Sequence, residues 1–149
     1  MSFDPGFRFH TVDPAGAGWE TLDTMREEAS AELDERTRLY PALIRKGRLA
    51  RDVADRELRV WRSIVDELTP GALVRGRAHA TWTEQVHALR REIALRRTLY
   101  PRWIEARRLD ADLAARRLAI VESIHDMWWH GDWRPEAVAA RAETVRDAA

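Results

Sequence analysis

The densest group of polar and aromatic side chains in this sequence runs from His125 to Trp133. Asp126 and His130 are four residues apart, so one face of a helix would present an imidazole and a carboxylate together, a pair that suits zinc or another divalent ion. No ligand spacing of a known metal family is met, and we predict no metal and no cofactor. Two readings remain: a packing and capping cluster at a helix end, or an aromatic patch that binds a partner. The partner-binding candidates are Trp128, Trp129, His130, Asp132 and Trp133.

A second group of chemically active side chains is a run of arginines in the second half of the chain. Arginine contacts phosphate, and an exposed Trp82 or Trp103 would stack on bases. The 25 basic and 25 acidic residues of the whole chain cancel, which argues against a strongly basic nucleic-acid binder. A solvated, salt-bridged helix face is the competing interpretation. The nucleic-acid candidates are Arg90, Arg91, Arg97, Arg107 and Arg108.

Enzyme motifs are missing from the sequence. It contains no G-x-S-x-G, no P-loop, no G-x-G-x-x-G and no H-E-x-x-H, and it has no cysteine. Glu27 and Glu28 are adjacent, so on a helix they point to different sides and do not form an acid–base pair. His79 and His87 lie about two helical turns apart, too far to share a metal ion. We therefore predict a protein that is not an enzyme.

Length and composition predict one soluble domain. The chain has 149 residues, of which 45% are hydrophobic and 34% charged. No run approaches the roughly 20 apolar residues that a membrane span needs. The N-terminus lacks a basic segment followed by an apolar one, so we expect no signal peptide, no membrane association and a cytoplasmic location.

Apolar residues recur at three- and four-residue steps through most of the chain, which predicts helices rather than strands. The pattern indicates a helix from Trp19 to a stop at Gly47, then helices over about 51–68, 78–107 and 110–128, and a fifth that begins at Pro135. Residues 1–18 are punctuated by Pro and Gly and are expected to form an irregular arm. Its phenylalanines, Phe3, Phe7 and Phe9, are expected to pack on the domain or else on a partner.

An internal repeat is the strongest signal in the sequence. Shifted by 60 residues, positions 39–66 match positions 99–126 without a gap, with 13 identities in 28 positions. Each copy reads as a helical hairpin with one apolar face. Two such hairpins packed face to face give a four-helix bundle with a pseudo-twofold axis.

The two copies also differ. Residues 20–35 are rich in acids and residues 86–108 in arginine, so these helices are expected to be neighbours. Gly47 corresponds to Arg107, which predicts a different shape for the second turn, because positive φ disfavours a side chain. Pro41 and Pro101 are expected to kink their helices.

One copy carries a recognisable pattern. The residues Tyr40, Pro41, Ile44, Gly47, Arg48 and Leu49 form a Tyr-Pro-x-x-Ile/Val-x-x-Gly-Arg/Lys-Leu core. This core resembles that of a group of short, largely uncharacterised helical proteins of bacteriophages, prophages and other mobile elements. The second copy matches less well, since it lacks the glycine. The resemblance implies a phage-type context and brings no catalytic residues with it.

Together these observations predict one all-α domain over residues 1–149: an arm (1–18), a first hairpin (19–68), a linker (69–77), a second hairpin (78–128) and a C-terminal helix (134–148). The leading functional hypothesis is a non-enzymatic protein–protein interaction factor of a phage or mobile element that binds a host or phage protein and blocks a host enzyme or defence complex. The alternatives are a DNA- or RNA-binding accessory factor and a virion or assembly component.

Overall fold

Five helices make up the computed structural model, which describes residues 2–7, 20–69, 80–132 and 134–149. These ranges contain no strand, so the all-α prediction is confirmed. The predicted linker and most of the predicted arm lie outside the described residues. The helices are α1 (Leu22–Arg45), α2 (Arg51–Leu68), α3 (Trp82–Glu105), α4 (Ala111–Gly131) and α5 (Pro135–Ala148).

Side-chain caps set several of the helix starts. The Thr21 hydroxyl accepts a hydrogen bond from the Thr24 amide at the start of α1. Thr81 and Glu84 form a reciprocal capping box, which starts α3 at Trp82 rather than at the predicted residue 78. Asp110 caps α4 as predicted. That helix continues to Gly131, three residues beyond the predicted end.

The 60-residue repeat is preserved in the backbone. The two first helices of the hairpins, α1 and α3, both have 24 residues and begin 60 positions apart. Their prolines, Pro41 and Pro101, lie inside the helices, which continue for four further residues to Arg45 and Glu105. Neither proline ends its helix.

The two hairpin turns have the same shape, so the prediction that the second would differ is wrong. Gly47 has φ 68° and Arg107 has φ 57°, which places both in the left-handed region. In each turn the next amide donates to the carbonyl five residues earlier, over 2.9 Å in the first copy and 2.8 Å in the second. These bonds define a Schellman motif, whose paired carbonyls stabilise the turn even with arginine at the left-handed position.

The four long helices form a ring in the order α1, α2, α3, α4, with α1 and α3 facing each other across the bundle. The α1 and α3 helices run in the same direction, and both hairpin turns therefore lie at one end, called here the turn end. Equivalent side chains such as Ile64 and Ile124 are fully buried between the hairpins. The α5 helix packs on α3 and buries Ala137. Within the described ranges, none of the helices is long and apolar enough to span a membrane.

Candidate binding cleft

Trp128 and Trp129 lie in the core, only 5% and 4% exposed, so the prediction that they form an exposed binding patch is wrong. The Trp128 indole donates to Gln85 Oε1 over 3.0 Å, and the Trp128 carbonyl accepts from the Trp82 indole. Adjacent residues of a helix point in different directions. Both tryptophans are nevertheless covered, because α4 is flanked by α1, by α3 and by the described part of the arm.

The rest of the predicted patch connects α4 to α5. Asp132 is partly buried and accepts hydrogen bonds from the Arg134 guanidinium at 2.6–3.0 Å. The Trp129 carbonyl accepts from Arg141 of α5. His130 is exposed, whereas Trp133 lies outside the described residues. The alternative interpretation, a packing and capping cluster that seats the fifth helix, is thus what the described contacts show.

Arg90 is buried, so its assignment as a nucleic-acid contact is wrong. Its guanidinium lies 4.4 Å from the ring centres of both Phe7 and Trp129. Its Nη1 donates to the backbone carbonyl of Asp4, which ties the N-terminal arm to α3. Burial lowers the pKa of Arg90 to about 10, against the opposing charges of Asp4 and Asp126.

His125 forms a buried chain of hydrogen bonds with Arg90 and Asp126. Arginine is only a donor, so the His125 Nε2 atom, 3.0 Å from Arg90 Nε, must accept. The proton then sits on Nδ1 and is donated to Asp126 Oδ1 over 3.0 Å. Burial lowers the pKa of His125, against the bond to Asp126. The histidine is neutral and structural, and no cluster of three metal-ligating side chains occurs among the described residues.

Of the other predicted nucleic-acid contacts, Arg97 lies on the same side of α3 as Arg90, since the guanidinium groups of both lie over the Phe7 ring. Arg91 pairs with Glu57 over 2.6 Å, and Arg97 lies 3.6 Å from Glu122. Arg107 and Arg108 are exposed at the turn end. The structure therefore brings only the last two of these five arginines together at an open surface.

A buried ion cluster, which the sequence analysis missed, crosses the bundle between α1 and α3. Arg36 binds Glu32 of its own helix over 2.8 Å and Glu92 of the other hairpin over 2.9 Å. Arg96 binds Glu92 of its own helix over 2.8 Å and Glu32 of the other over 3.1 Å. Glu32 and Glu92 are 60 positions apart, and so are Arg36 and Arg96. Extending the repeat alignment towards the N-terminus to a shared Glu-x-x-x-Arg-x-x-x-Tyr-Pro would have revealed them.

Further carboxylates surround this cluster. Arg96 Nη1 also binds Glu28 over 2.7 Å, and Arg36 Nη1 binds Glu57 over 3.2 Å. Burial alone would lower the pKa of Arg96, but the carboxylates of Glu92 and Glu28 hold that pKa above its ordinary value. Burial raises the pKa of Glu92, and the nearby Glu32 charge adds to this effect. The acidic α1 and the arginine-rich α3 lie across the bundle from each other rather than side by side, so the expectation that they are neighbours is not met. Their side chains pair across the bundle instead.

Above the ion cluster, the C-terminal halves of α1 and α3 enclose a cleft of about 510 Å³. Leu39 and Leu95 line it while 42% and 50% exposed. Tyr40 and Tyr100 lie deeper, and the Tyr40 hydroxyl accepts from Arg36 over 2.7 Å. The remaining lining residues include Leu43, Leu99 and Trp103. Trp103 is partly buried and faces this cleft.

The turn end of the bundle lies next to the cleft and carries an excess of positive charge. Residues 42–52 and 102–112 hold seven exposed cations and four exposed carboxylates. None of these seven cations forms an ion pair in the described parts of the chain, unlike Arg36 and Arg96 in the body of the bundle. The cations are Arg45, Lys46, Arg48, Arg51, Arg102, Arg107 and Arg108.

Comparison of this chain with protein-family models, with curated proteins and with solved structures found no match. The candidate site is therefore defined by its own geometry. It is an open cleft with exposed leucines, and the arginines of its floor are paired with carboxylates. The cations of the neighbouring turn end form no ion pair within the described residues.

Proposed function

We propose that this protein is a non-enzymatic binding protein that engages another protein through the cleft between α1 and α3. The observation that carries this proposal is the pair of exposed leucines, Leu39 and Leu95, on facing helices above a cleft of about 510 Å³. Contiguous apolar surface of this kind marks interaction sites more often than isolated exposed side chains do. The tightly packed helices on either side hold the cleft in a preformed shape, which lowers the entropic cost of binding.

The phage-type context implied by the Tyr-Pro pattern supports a host or phage protein as the partner. Blocking a host enzyme or defence complex is the use we propose within that context. Such a role needs only a rigid surface and no catalytic groups, and the cleft provides that surface.

Affinity capture from a host lysate tests this function when a matched set of variants is used. Leu39→Gln/Leu95→Gln replaces both exposed leucines of the cleft, whereas Val145→Gln replaces a smaller aliphatic side chain on α5 that is 71% exposed. We expect mass spectrometry to identify a protein that the wild type and Val145→Gln retain and the double variant loses. Equal capture by all three proteins would place the interface elsewhere.

Nucleic-acid binding is the second candidate, and it is favoured by the seven exposed cations of the turn end, which form no ion pair within the described residues. Arg107 and Arg108, singled out from the sequence, belong to this group. Phosphate contacts lose affinity steeply as salt rises, because bound counterions are released. A gel shift of a DNA or RNA duplex that disappears with added salt, and that Arg48→Ser/Arg108→Ser abolishes, would support this function over the first.

A further inference from the structure

We propose that the cleft binds an acidic, amphipathic helix of the partner protein, with apolar side chains between α1 and α3 and carboxylates on the cations of the turn end. This inference rests on the proposed function and adds the chemistry of the occupant. Its basis is the juxtaposition of an open apolar cleft with a group of unpaired cations at the same end of the bundle.

The charge of the rim selects an acidic occupant. Seven cations against four carboxylates leave an excess of three positive charges in residues 42–52 and 102–112. One of the carboxylates, Asp110, is already engaged as the cap of α4. Exposed cations that lack a partner within the described chain remain available to a partner's carboxylates, which they also attract over a distance.

The cleft selects an apolar anchor. Its most exposed leucines are Leu39 and Leu95, which gain most when they are covered by other apolar side chains. The arginines of its floor, Arg36 and Arg96, are bound to carboxylates of the bundle and are not available to a ligand charge. A groove between two helices is the geometry that accepts the apolar face of a third.

The same features favour a protein over a nucleic acid. A nucleic-acid duplex would place phosphates on the cations of the turn end, but it would leave the exposed Leu39 and Leu95 of the cleft without an apolar contact. An amphipathic acidic helix satisfies both halves of the site at once.

The cleft also distinguishes one orientation of the occupant from the other. Most of its lining follows the pseudo-twofold symmetry, but Leu43 on one side corresponds to Trp103 on the other. The Trp103 ring lies 5.8 Å from that of Tyr100, which extends the aromatic surface on the α3 side only. A partner helix therefore meets Tyr100 and Trp103 on the α3 side, and Tyr40 and Leu43 on the α1 side.

Selection of a displayed library of random peptides on the purified full-length protein tests this inference. We expect enriched peptides to carry Asp or Glu together with apolar residues at helical spacing. Affinity of a labelled, enriched peptide should fall about tenfold or more in Arg48→Ser/Arg108→Ser, since each removes a charge-assisted contact. It should fall similarly in Leu39→Gln/Leu95→Gln. The control Val145→Gln/Arg146→Ser, which changes an exposed apolar residue and an exposed arginine of α5, should bind as the wild type does.

The outcomes separate the inference from the function on which it rests. Selection of no peptide that depends on Leu39 and Leu95 would overturn both. Peptides that depend on the leucines but are neutral or basic, or that bind Arg48→Ser/Arg108→Ser as tightly as the wild type, would overturn only the acidic occupant. If a mixed-sequence DNA duplex bound instead, and only the arginine variant lost it, the rim would belong to a nucleic-acid site. Circular dichroism of each variant verifies that the fold is retained.

Discussion

The Nη2 atom of Arg96 lies 3.1 Å from Oε2 of Glu32, although the two residues belong to different copies of the repeat. The equivalent pair with the roles exchanged, Arg36 and Glu92, is 2.9 Å apart. Each hairpin therefore supplies one cation and one carboxylate to the other. This reciprocal exchange crosses the bundle at the floor of the cleft, where none of the four side chains is more than 15% exposed and the attraction between the charges is stronger than at the surface.

Removal of one cation from this cluster should be strongly destabilising. Arg96→Met leaves the carboxylates of Glu92, Glu28 and Glu32 buried together, so we expect a loss of about 3–5 kcal/mol in the free energy of unfolding. Arg38→Met is the control, because Arg38 is 68% exposed in its pair with Glu35 and its loss should leave the free energy of unfolding close to that of the wild type. Urea denaturation measures both. Similar losses for the two variants would mean that the buried cluster contributes no more than a surface pair.

The shared shape of the two turns predicts opposite effects for two backbone substitutions. Gly47→Ala should cost about 1 kcal/mol, since a side chain disfavours its φ of 68° and its Cβ would meet nothing within 4 Å. Arg107→Gly should stabilise by up to about 1 kcal/mol, because it relieves the same constraint at φ 57°. Thermal melting of the two variants against the wild type provides the test. A loss at Arg107→Gly would show that its side chain contributes more than its backbone costs.

Trp129 should behave as a packing residue rather than as an interface residue. Its ring lies against Phe3 and Trp82, so Trp129→Ala should reduce the free energy of unfolding by about 3–5 kcal/mol. Leu113→Ala, on the same helix but 49% exposed, should change it by about 0.5 kcal/mol or less. A Trp129→Ala protein that melts normally but captures no partner would restore the interpretation of this residue as a binding hot spot.

Acid should destabilise the fold through His125. Its pKa is lowered below the ordinary 6.5, so the unfolded chain binds the proton more readily and stability falls as pH decreases through that region. A proton on Nε2 would also point at the Arg90 donor. The charged or titratable groups that face His125 are Arg90 of α3 and Asp126 and His130 of α4.

We expect the free energy of unfolding to decrease between about pH 7 and about pH 5, and to decrease less in His125→Gln. His87 also has a lowered pKa, chiefly through burial, and will leave part of the pH dependence in that variant. Equal slopes for the wild type and His125→Gln would show that His125 does not titrate differently on folding.

The fold followed from the sequence because its main signals are local or repeated. Helical periodicity, caps such as Asp110 and the 60-residue repeat each act within one helix or between two copies of the same pattern. The site did not follow, because burial depends on what covers a helix from several sides. Trp128 and Trp129 are adjacent in the sequence, and the packing of several elements on α4 buries both of them.

The charge pattern of the sequence did not predict the buried ion cluster, for a similar reason. An arginine-rich helix and an acidic helix look alike in sequence whether their charges face water or each other. Arg36 and Arg96 turn inward because each finds two carboxylates in hydrogen-bonding positions, and only the three-dimensional arrangement of both hairpins supplies them. The arginines of the turn end form no ion pair within the described residues, and their side chains stay in solvent.

The joining of two equivalent hairpins in one chain frees them from having to change together. In an assembly of two identical subunits, every substitution appears twice, and a cleft on the axis keeps two identical walls. Here a single codon alters one wall alone, and Leu43 opposite Trp103 is such a departure from symmetry. A site that began with two equivalent walls can in this way acquire two different ones, and so come to recognise a ligand that has no symmetry of its own.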